Sequence, residues 1–204
     1  MKTIVITGSS GSGKSYLSNQ LSKIFYNSIV IKTDSYYRDS ILIRFLSTFM
    51  CDIYDRPLSI KKKELMKTLR SIHKKDKLIS IFKYDFKRKR SSKSKLKINY
   101  NEDYQFLILE GIFAHRLRLN YQETINIVCE EEKKICFTRR LKRDQLERGR
   151  DNREVFKKFN KSWYLFYNNA QKFINENDIL SLNTLDKISY NNLVLNLQSQ
   201  QKNN

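Results

Sequence analysis

A glycine-rich stretch near the start of the chain, GSSGSGKS at Gly8–Ser15, constrains the fold more than any other part of the sequence. It matches the pattern G-x-x-x-x-G-K-[ST] at each fixed position. Its glycines allow successive backbone NH groups to turn inward around phosphate oxygens, and the dipole of a following helix adds to the attraction. The β-branched run KTIVIT, Lys2–Thr7, precedes it and a helical pattern follows. The stretch therefore predicts a strand, a phosphate-binding loop and a helix in succession.

Two side chains of this loop have predictable tasks. Lys14 would reach the β- and γ-phosphates of a nucleotide, and the Ser15 hydroxyl would ligate Mg²⁺. We expect the loop and the residue after it to contact the nucleotide as a group: Gly8, Ser9, Ser10, Gly11, Ser12, Gly13, Lys14, Ser15 and Tyr16.

The pattern of strands and helices predicts an α/β fold. Apolar runs that read as buried strands alternate with helical patterns, which is typical of a mainly parallel sheet covered by helices on both faces. We therefore predict a three-layer P-loop NTPase fold over 1–204 as one domain. The predicted strands are Lys2–Thr7, Ser28–Thr33, Leu78–Tyr84, Gln105–Glu110, Ile125–Cys129 and a short one near residue 180, and the clearest helices span 61–73, 133–148 and 153–176.

Two carboxylates follow predicted strands, at the sheet edge where open α/β sheets bind ligands. Asp34 ends the second strand and could accept the proton of an attacking hydroxyl as a general base. Asp also caps helices and turns, so this residue alone leaves both roles open. Glu110 ends the strand FLILE, where a carboxylate can lie near the Mg²⁺ of a phosphate loop.

The chain is strongly basic, with a formal charge of +19. Such a charge attracts nucleic acid, acidic membrane surfaces or phosphorylated small molecules. Lys, Asn and Ile are abundant throughout, so composition alone explains the charge as well as a targeted patch does. The run KRKRSSKSKLK, Lys87–Lys97, is interpreted as a basic, solvated loop in preference to a nucleic-acid contact.

Cysteine usage and hydropathy indicate the compartment. Cys51, Cys129 and Cys136 are odd in number and form no Cys-x-x-Cys pair, so neither a disulfide framework nor a thiolate zinc site is predicted. No run of about 18 apolar residues suggests a membrane span. We expect a cytoplasmic protein with no membrane partner.

The order of motifs resembles one family, the uridine kinases (uridine–cytidine kinases), within the phosphoribulokinase and uridine kinase group. DSYY at Asp34–Tyr37 is similar to the family's Asp-Ser-Phe-Tyr, and YDRP at Tyr54–Pro57 to its Phe-Asp-His-Pro. IFKYDF at Ile81–Phe86 and FLILEGIFA at Phe106–Ala114 also have counterparts. RRLKRDQLERGRD, Arg139–Asp151, matches almost residue for residue. The resemblance covers about residues 2–165.

The resemblance implies an acceptor site for a nucleoside. Asp34 would activate the ribose 5′-hydroxyl, Asp55 would hold the 2′- and 3′-hydroxyls, and Arg143 would assist at the sugar. Three aromatic side chains would shape the base pocket: Tyr37, Tyr84 and Phe86.

The resemblance also implies a metal site and a lid. Ser15, Asp34 and Glu110 would surround Mg²⁺. A lid over about 139–153 would close on the phosphates of ATP or GTP, because guanidinium groups stabilise a transferring phosphoryl group and a closed lid excludes water. The lid arginines would be Arg140, Arg148 and Arg150, with Arg140 and Arg143 contributing to catalysis.

The chain departs from the family pattern beside the predicted base pocket. Lys89 and Ser91 stand where the family usually has a His and an Arg, and that His is associated with the pyrimidine edge. The identity of the base is therefore the open part of the substrate assignment.

Three functions follow from these observations. The first is phosphorylation of uridine or cytidine. The second is a kinase for another small hydroxyl compound, such as nicotinamide riboside, pantothenate or a sugar phosphate. The third is a nucleotide- or RNA-binding regulator with weak catalysis, against which Lys14, Ser15, Asp34 and Glu110 together argue. Family members are often oligomers, and we expect residues 186–204 to form a mobile tail.

Overall fold

The computed structural model describes residues 1–49, 53–100, 106–117, 119, 124–176, 180–183 and 186–202. Cys51 lies outside these ranges. The helices are α1 Lys14–Ile24, α2 Ile41–Phe49, α3 Lys62–His73, α4 Lys133–Arg148, α5 Asn152–Glu176 and α6 Lys187–Lys202. The strands are β1 Lys2–Gly8, β2 Ile29–Lys32, β3 Leu78–Asp85, β4 Arg90–Lys97, β5 Phe106–Glu110, β6 Thr124–Glu130 and β7 Leu180–Asn183.

Five strands form one parallel sheet in the order β2-β5-β1-β6-β7. The register pairs Ile6 of β1 with Glu110 of β5 and with Ile127 of β6. Chain order and sheet order differ because each parallel neighbour is reached by a crossover. The carboxyl ends of β1, β2 and β5 therefore lie side by side, which confirms the predicted fold class.

Each face of the sheet packs on its own set of helices. Ile4 and Ile6 point to one face and pack with α1 and α6, whereas Val5 points to the other face and packs with α3. This alternation along β1 follows from the two-residue period of a strand. Both faces are apolar, so the strands read as continuous apolar runs in the sequence.

The segment Leu78–Asp85 does not join this sheet, contrary to the sequence-based prediction. It pairs antiparallel with β4 in a separate hairpin, with Tyr84 opposite Ser91 and Phe82 opposite Lys93. The prediction of a basic loop over 87–97 is also wrong, because residues 90–97 form a strand. Nearly all β4 side chains are exposed, so the strand has no apolar pattern and its backbone pairing with β3 holds it.

The end of the chain also differs from the expected mobile tail. Residues 187–202 form α6, in which Leu193 and Leu197 are buried against the sheet face that holds Ile4 and Ile6. Their i, i+4 spacing places both leucines on one side of the helix. Within the described ranges, every helix is too short or too polar to cross a lipid bilayer.

Candidate active site

A cleft opens at the carboxyl ends of β1, β2 and β5. It receives side chains from the phosphate loop, from the turn after β2, from the β3–β4 hairpin and from the end of α4. The sequence-predicted residues that line it are Ser10, Lys14, Ser15, Asp34, Tyr37, Tyr84, Phe86, Glu110, Arg140, Arg143, Arg148 and Arg150.

The loop between β1 and α1 has the backbone that a phosphate cradle needs. Gly11 and Gly13 have φ values of 91° and 92°, a region that side-chain-bearing residues avoid. A Cβ on Gly11 would also collide with the backbone carbonyl of Cys136 in α4. Lys14 Nζ donates to the Ser9 carbonyl at 2.7 Å, which folds its side chain back over the loop. Burial lowers the pKa of Lys14, and the carboxylates of Asp34 and Glu110 oppose that shift.

Glu110 lies beside the loop with both carboxylate oxygens engaged. Ser15 Oγ donates to one oxygen at 3.0 Å and Ser18 Oγ to the other at 2.8 Å. Lys32 Nζ is 3.5 Å from Oε1, and the Glu110 side chain is 6% exposed. Hydroxyl and carboxylate oxygens are the donors that Mg²⁺ prefers. The Ser15–Glu110 pair therefore fits a magnesium ion.

A magnesium ion bound at this pair would need phosphate and water to complete its coordination. In the part of the chain that the structure describes, no three His, Cys, Asp or Glu side chains cluster as a protein cage would require. Mg²⁺ usually keeps several waters and binds one or two carboxylates together with substrate phosphates. The predicted donors Ser15, Asp34 and Glu110 match that pattern in number and type.

Asp34 lies in a short 3-10 turn, Thr33–Tyr36, directly after β2. The Tyr37 hydroxyl donates to Asp34 Oδ1 at 3.2 Å. Burial raises the pKa of Asp34, while Lys14 acts in the opposite direction and Glu110 reinforces the rise. Asp34 lines the cleft beside Lys14. A raised pKa suits a carboxylate that takes up a proton during a reaction.

Four aromatic rings form a wall on one side of the cleft, which we call the aromatic wall: Tyr37, Tyr54, Tyr84 and Phe86. Tyr37 lies 5.4 Å from Tyr84 and 5.6 Å from Tyr54 between ring centroids, and Tyr84 lies 5.2 Å from Phe86. These edge-to-face pairs hold the rings in fixed positions. Lys89 lines the cleft too, with a left-handed backbone at φ 51°.

The arginines of α4 occupy different parts of the cleft. Arg143 Nη2 is 3.4 Å from Ser10 Oγ in the phosphate loop. The guanidinium carbon of Arg148 lies 4.1 Å above the Phe86 ring, so Arg148 contacts the aromatic wall. Arg140 is almost fully buried and donates to Ser162 Oγ of α5 at 2.7 Å. The predicted lid segment 139–153 thus consists of the second half of α4, a turn and the start of α5.

Some predicted residues lie away from these contacts, and others were missed. Tyr16 is 61% exposed on α1. The Asp55 side chain lies outside what the structure describes. The sequence analysis did not predict Ser18, which lies one helical turn after Ser15 and contacts Glu110. It also did not predict Tyr54 as a cleft residue, although Tyr54 is the first residue of the YDRP motif. It also missed Asp144, which ion-pairs with four arginines; the signal was its i, i+4 spacing to Arg140 and Arg148.

Comparison with known sequences places these features in one family. A model of the phosphoribulokinase / uridine kinase family matches residues 3–180. A uridine kinase of Ureaplasma parvum is 34% identical over 156 residues, covering 74% of this chain and 73% of that protein. A uridine kinase of Haemophilus ducreyi is 32% identical over 168 residues, covering 78% and 74%.

The fold has counterparts among solved structures. A possible uridine kinase from Bacillus stearothermophilus superposes with a TM-score of 0.59 at 18% identity, over 89% of this chain and 88% of that one. At that identity the likeness concerns the fold. With a family match over most of its length, and with the phosphate loop, Glu110 and Asp34 gathered in one cleft, the chain belongs to the phosphoribulokinase/uridine kinase family and is a phosphotransferase.

Proposed function

We propose that this protein phosphorylates the 5′-hydroxyl of uridine or cytidine, using ATP or GTP with Mg²⁺, and releases UMP or CMP. One observation carries the proposal: Asp34 lies in the same cleft as the phosphate-loop Lys14 and hydrogen-bonds to Tyr37 of the aromatic wall. If the ring of an acceptor stacks on that wall, its hydroxyl would lie near both the general base and the phosphoryl donor.

The reaction has one bond formed and one broken. The 5′-oxygen attacks the γ-phosphorus, the bond to the β–γ bridging oxygen breaks, and the nucleoside diphosphate leaves. Asp34 accepts the hydroxyl proton, for which burial has already raised its pKa. Lys14 and Arg143 stabilise the negative charge on the transferring group. Mg²⁺, bound by Ser15, Asp34 and Glu110, would neutralise charge on the β- and γ-phosphates.

The aromatic wall favours a flat acceptor. Tyr37, Tyr54, Tyr84 and Phe86 offer ring faces and edges to a base, whereas an aliphatic acceptor would gain little from them. Lys89 at the rim of the cleft carries three NH donors, so it favours a base with carbonyl oxygens. Both uracil and cytosine have at least one such oxygen. We also assign the protein to the cytoplasm, where its buried Cys129 and Cys136 stay reduced.

The test is donor consumption against a panel of uridine, cytidine, nicotinamide riboside, pantothenate and sugar phosphates. Uridine or cytidine should give the highest kcat/KM, and Asp34→Asn should lower kcat by about 10²- to 10⁴-fold with nucleotide binding retained. Asp39→Asn is the matched control, because Asp39 ion-pairs with Lys61 at 3.0 Å and is not among the residues that line the cleft. Turnover with another acceptor alone would overturn the substrate assignment.

The exposed basic hairpin supports a second candidate function, binding of RNA. Arg90, Lys93, Lys95 and Lys97 of β4 are all exposed. RNA affinity that falls steeply with salt, combined with no nucleoside-dependent turnover, would favour this candidate. Salt-insensitive or absent RNA binding would exclude it.

A further inference from the structure

Asp144 lies in the second half of α4 with its carboxylate completely buried among arginines. Its Oδ1 accepts from Arg143 twice, from Nε at 3.0 Å and from Nη2 at 2.8 Å, and lies 3.4 Å from Arg148 Nη1. Its Oδ2 accepts from Arg150 Nη1 at 2.8 Å and lies 3.7 Å from Arg140 Nε. Both oxygens therefore hold guanidinium groups. We call these five residues the Asp144 cluster.

Local geometry brings the cluster together. Arg140 and Arg148 are one helical turn before and after Asp144, so they share its face of α4. Gly149 has φ 62°, and this left-handed residue turns the chain so that Arg150 returns over the helix end. The backbone NH of Arg150 donates to the Asp144 carbonyl at 3.2 Å. Residue 150 is thus fixed by both the backbone and the side chain of Asp144.

The charges of the cluster explain why a buried carboxylate is needed. Four guanidiniums and one carboxylate leave a net charge of +3 beside the cleft. Burial by itself would raise the pKa of Asp144, but Arg143, Arg148 and Arg140 hold that pKa below its usual range. The carboxylate stays ionised and offsets repulsion among the arginines. All four arginines line the cleft together with Ser10, Lys14 and Ser15 of the phosphate loop.

Two members of the cluster connect opposite sides of the cleft. Arg143 also approaches Ser10 of the phosphate loop, at 3.4 Å, and Arg148 lies on Phe86 of the aromatic wall, at 4.1 Å. Both arginines contact the same oxygen of Asp144. A shift of that oxygen would therefore move a contact on the donor side and a contact on the acceptor side together.

We propose that Asp144 is a positioning residue, which acts through Arg143 and Arg150 to set the guanidiniums that receive the transferring γ-phosphoryl group. The inference rests on the proposed role of these arginines at the donor phosphates. Asp144 itself is not among the residues that line the cleft. Correct placement of charge matters because an error of about 1 Å at a catalytic group can cost about 10²-fold in rate.

The experiment compares Asp144→Glu and Asp144→Asn with the wild-type protein. Asp144→Glu keeps the charge, and with it the ion pairs that support folding, but displaces the carboxylate by one methylene. We expect kcat to fall about tenfold or more in both variants. Asp186→Asn is the control: it removes an exposed carboxylate outside the cleft and the lid segment while retaining a cap for the Ile188 NH, and kcat should stay within about twofold.

A binding measurement without acceptor separates positioning from a general loss of structure. ATP and ADP share every group except the γ-phosphoryl. Asp144→Glu should raise the Kd for ATP about fivefold or more and change the Kd for ADP less than about twofold, because the misplaced guanidiniums serve the γ-phosphoryl group. Equal changes for ATP and ADP, or no change for either, would overturn the proposal, as would wild-type kcat in Asp144→Glu.

The binding result also separates this inference from the acceptor assignment. If the wild-type protein turns over neither uridine nor cytidine, the proposed function fails, and the comparison of ATP with ADP still decides the role of Asp144. If the protein is active, a double-mutant cycle provides a second test of the proposal. In an Arg143→Ala background, Asp144→Glu should lower kcat by a smaller factor than in the wild type. Full additivity would contradict action through Arg143.

Discussion

The Tyr37 hydroxyl donates a hydrogen bond to Asp34 Oδ1 at 3.2 Å, three residues back along the chain. The bond stabilises the ionised carboxylate and fixes its orientation toward the cleft. It also joins the proposed base to the aromatic wall, because the Tyr37 ring packs against Tyr54 and Tyr84.

Tyr37→Phe removes this hydrogen bond and retains the ring. Loss of a donor to the carboxylate should raise the pKa of Asp34 further, because the ionised form loses a hydrogen bond. Because the base works only when deprotonated, the acid limb of the kcat/KM profile should move to higher pH. A pH–rate profile of both proteins measures the shift. An unchanged acid limb would mean that this bond does not tune the base.

Glu110→Gln tests the metal site. The neutral amide should bind Mg²⁺ less well than the carboxylate. The Mg²⁺ concentration that gives half-maximal turnover should therefore rise by about 10- to 100-fold. Glu130→Gln is the matched control, because Glu130 ends strand β6 of the same sheet and is not among the residues that line the cleft. Equal Mg²⁺ requirements in the two variants would remove Glu110 from the site.

Phe86→Leu tests the aromatic wall. It removes the ring on which Arg148 lies, a contact worth about 1–2 kcal/mol when shielded from water, so KM for the nucleoside should rise about five- to thirtyfold. Phe82→Leu makes the same change on β3, where the ring packs with Tyr36, and should leave this KM unchanged. A similar rise in both variants would assign the effect to the hairpin as a whole.

His115 predicts an acid-sensitive fold. Its Nδ1 lies 2.9 Å from Thr7 Oγ1. Burial, and to a smaller extent the charge of the nearby Arg116, lowers the pKa of His115 from 6.5 to about 4. The unfolded chain binds a proton below about pH 6.5 and the folded chain does not, so stability falls as pH drops from 6.5 toward 4. Across this pH range the free energy of unfolding should fall by about 3 kcal/mol at most.

Denaturant titrations across this pH range measure the effect. His115→Gln should give a flatter dependence on pH than the wild type. His73, whose pKa is also lowered by burial, contributes in the same direction and remains in the variant. An identical slope in the two proteins would show that His115 titrates normally.

Leu197→Ala tests whether α6 is part of the core. Leu197 is 0% exposed, so its truncation should lower the free energy of unfolding by about 2–5 kcal/mol. Leu195→Ala, on the same helix at 64% exposure, should change it by less than about 0.5 kcal/mol. Thermal or denaturant unfolding compares the pair, and a small effect at Leu197 would mean that α6 is dispensable.

The sequence by itself determined the parts of this protein that local patterns encode. The loop Gly8–Ser15, the strand-end carboxylates Asp34 and Glu110, and the parallel sheet all followed from periodicity, glycine spacing and the rule that ligands bind at the carboxyl ends of parallel strands. The helices over 133–148 and 152–176 were predicted within one residue. These features depend on residues close together in the chain.

Only the tertiary structure decided which partners distant segments meet. The exposed, lysine-rich β4 has no strand signal of its own and forms because β3 offers its backbone. Residues 187–202 become an ordered helix because Leu193 and Leu197 find an apolar sheet face. The family resemblance implied a lid of arginines on the phosphates with Arg143 at the sugar, whereas in the structure Asp144 holds Arg143 beside the phosphate loop and Arg148 beside the aromatic wall. Their directions depend on long-range contacts, which a linear pattern of charges does not encode.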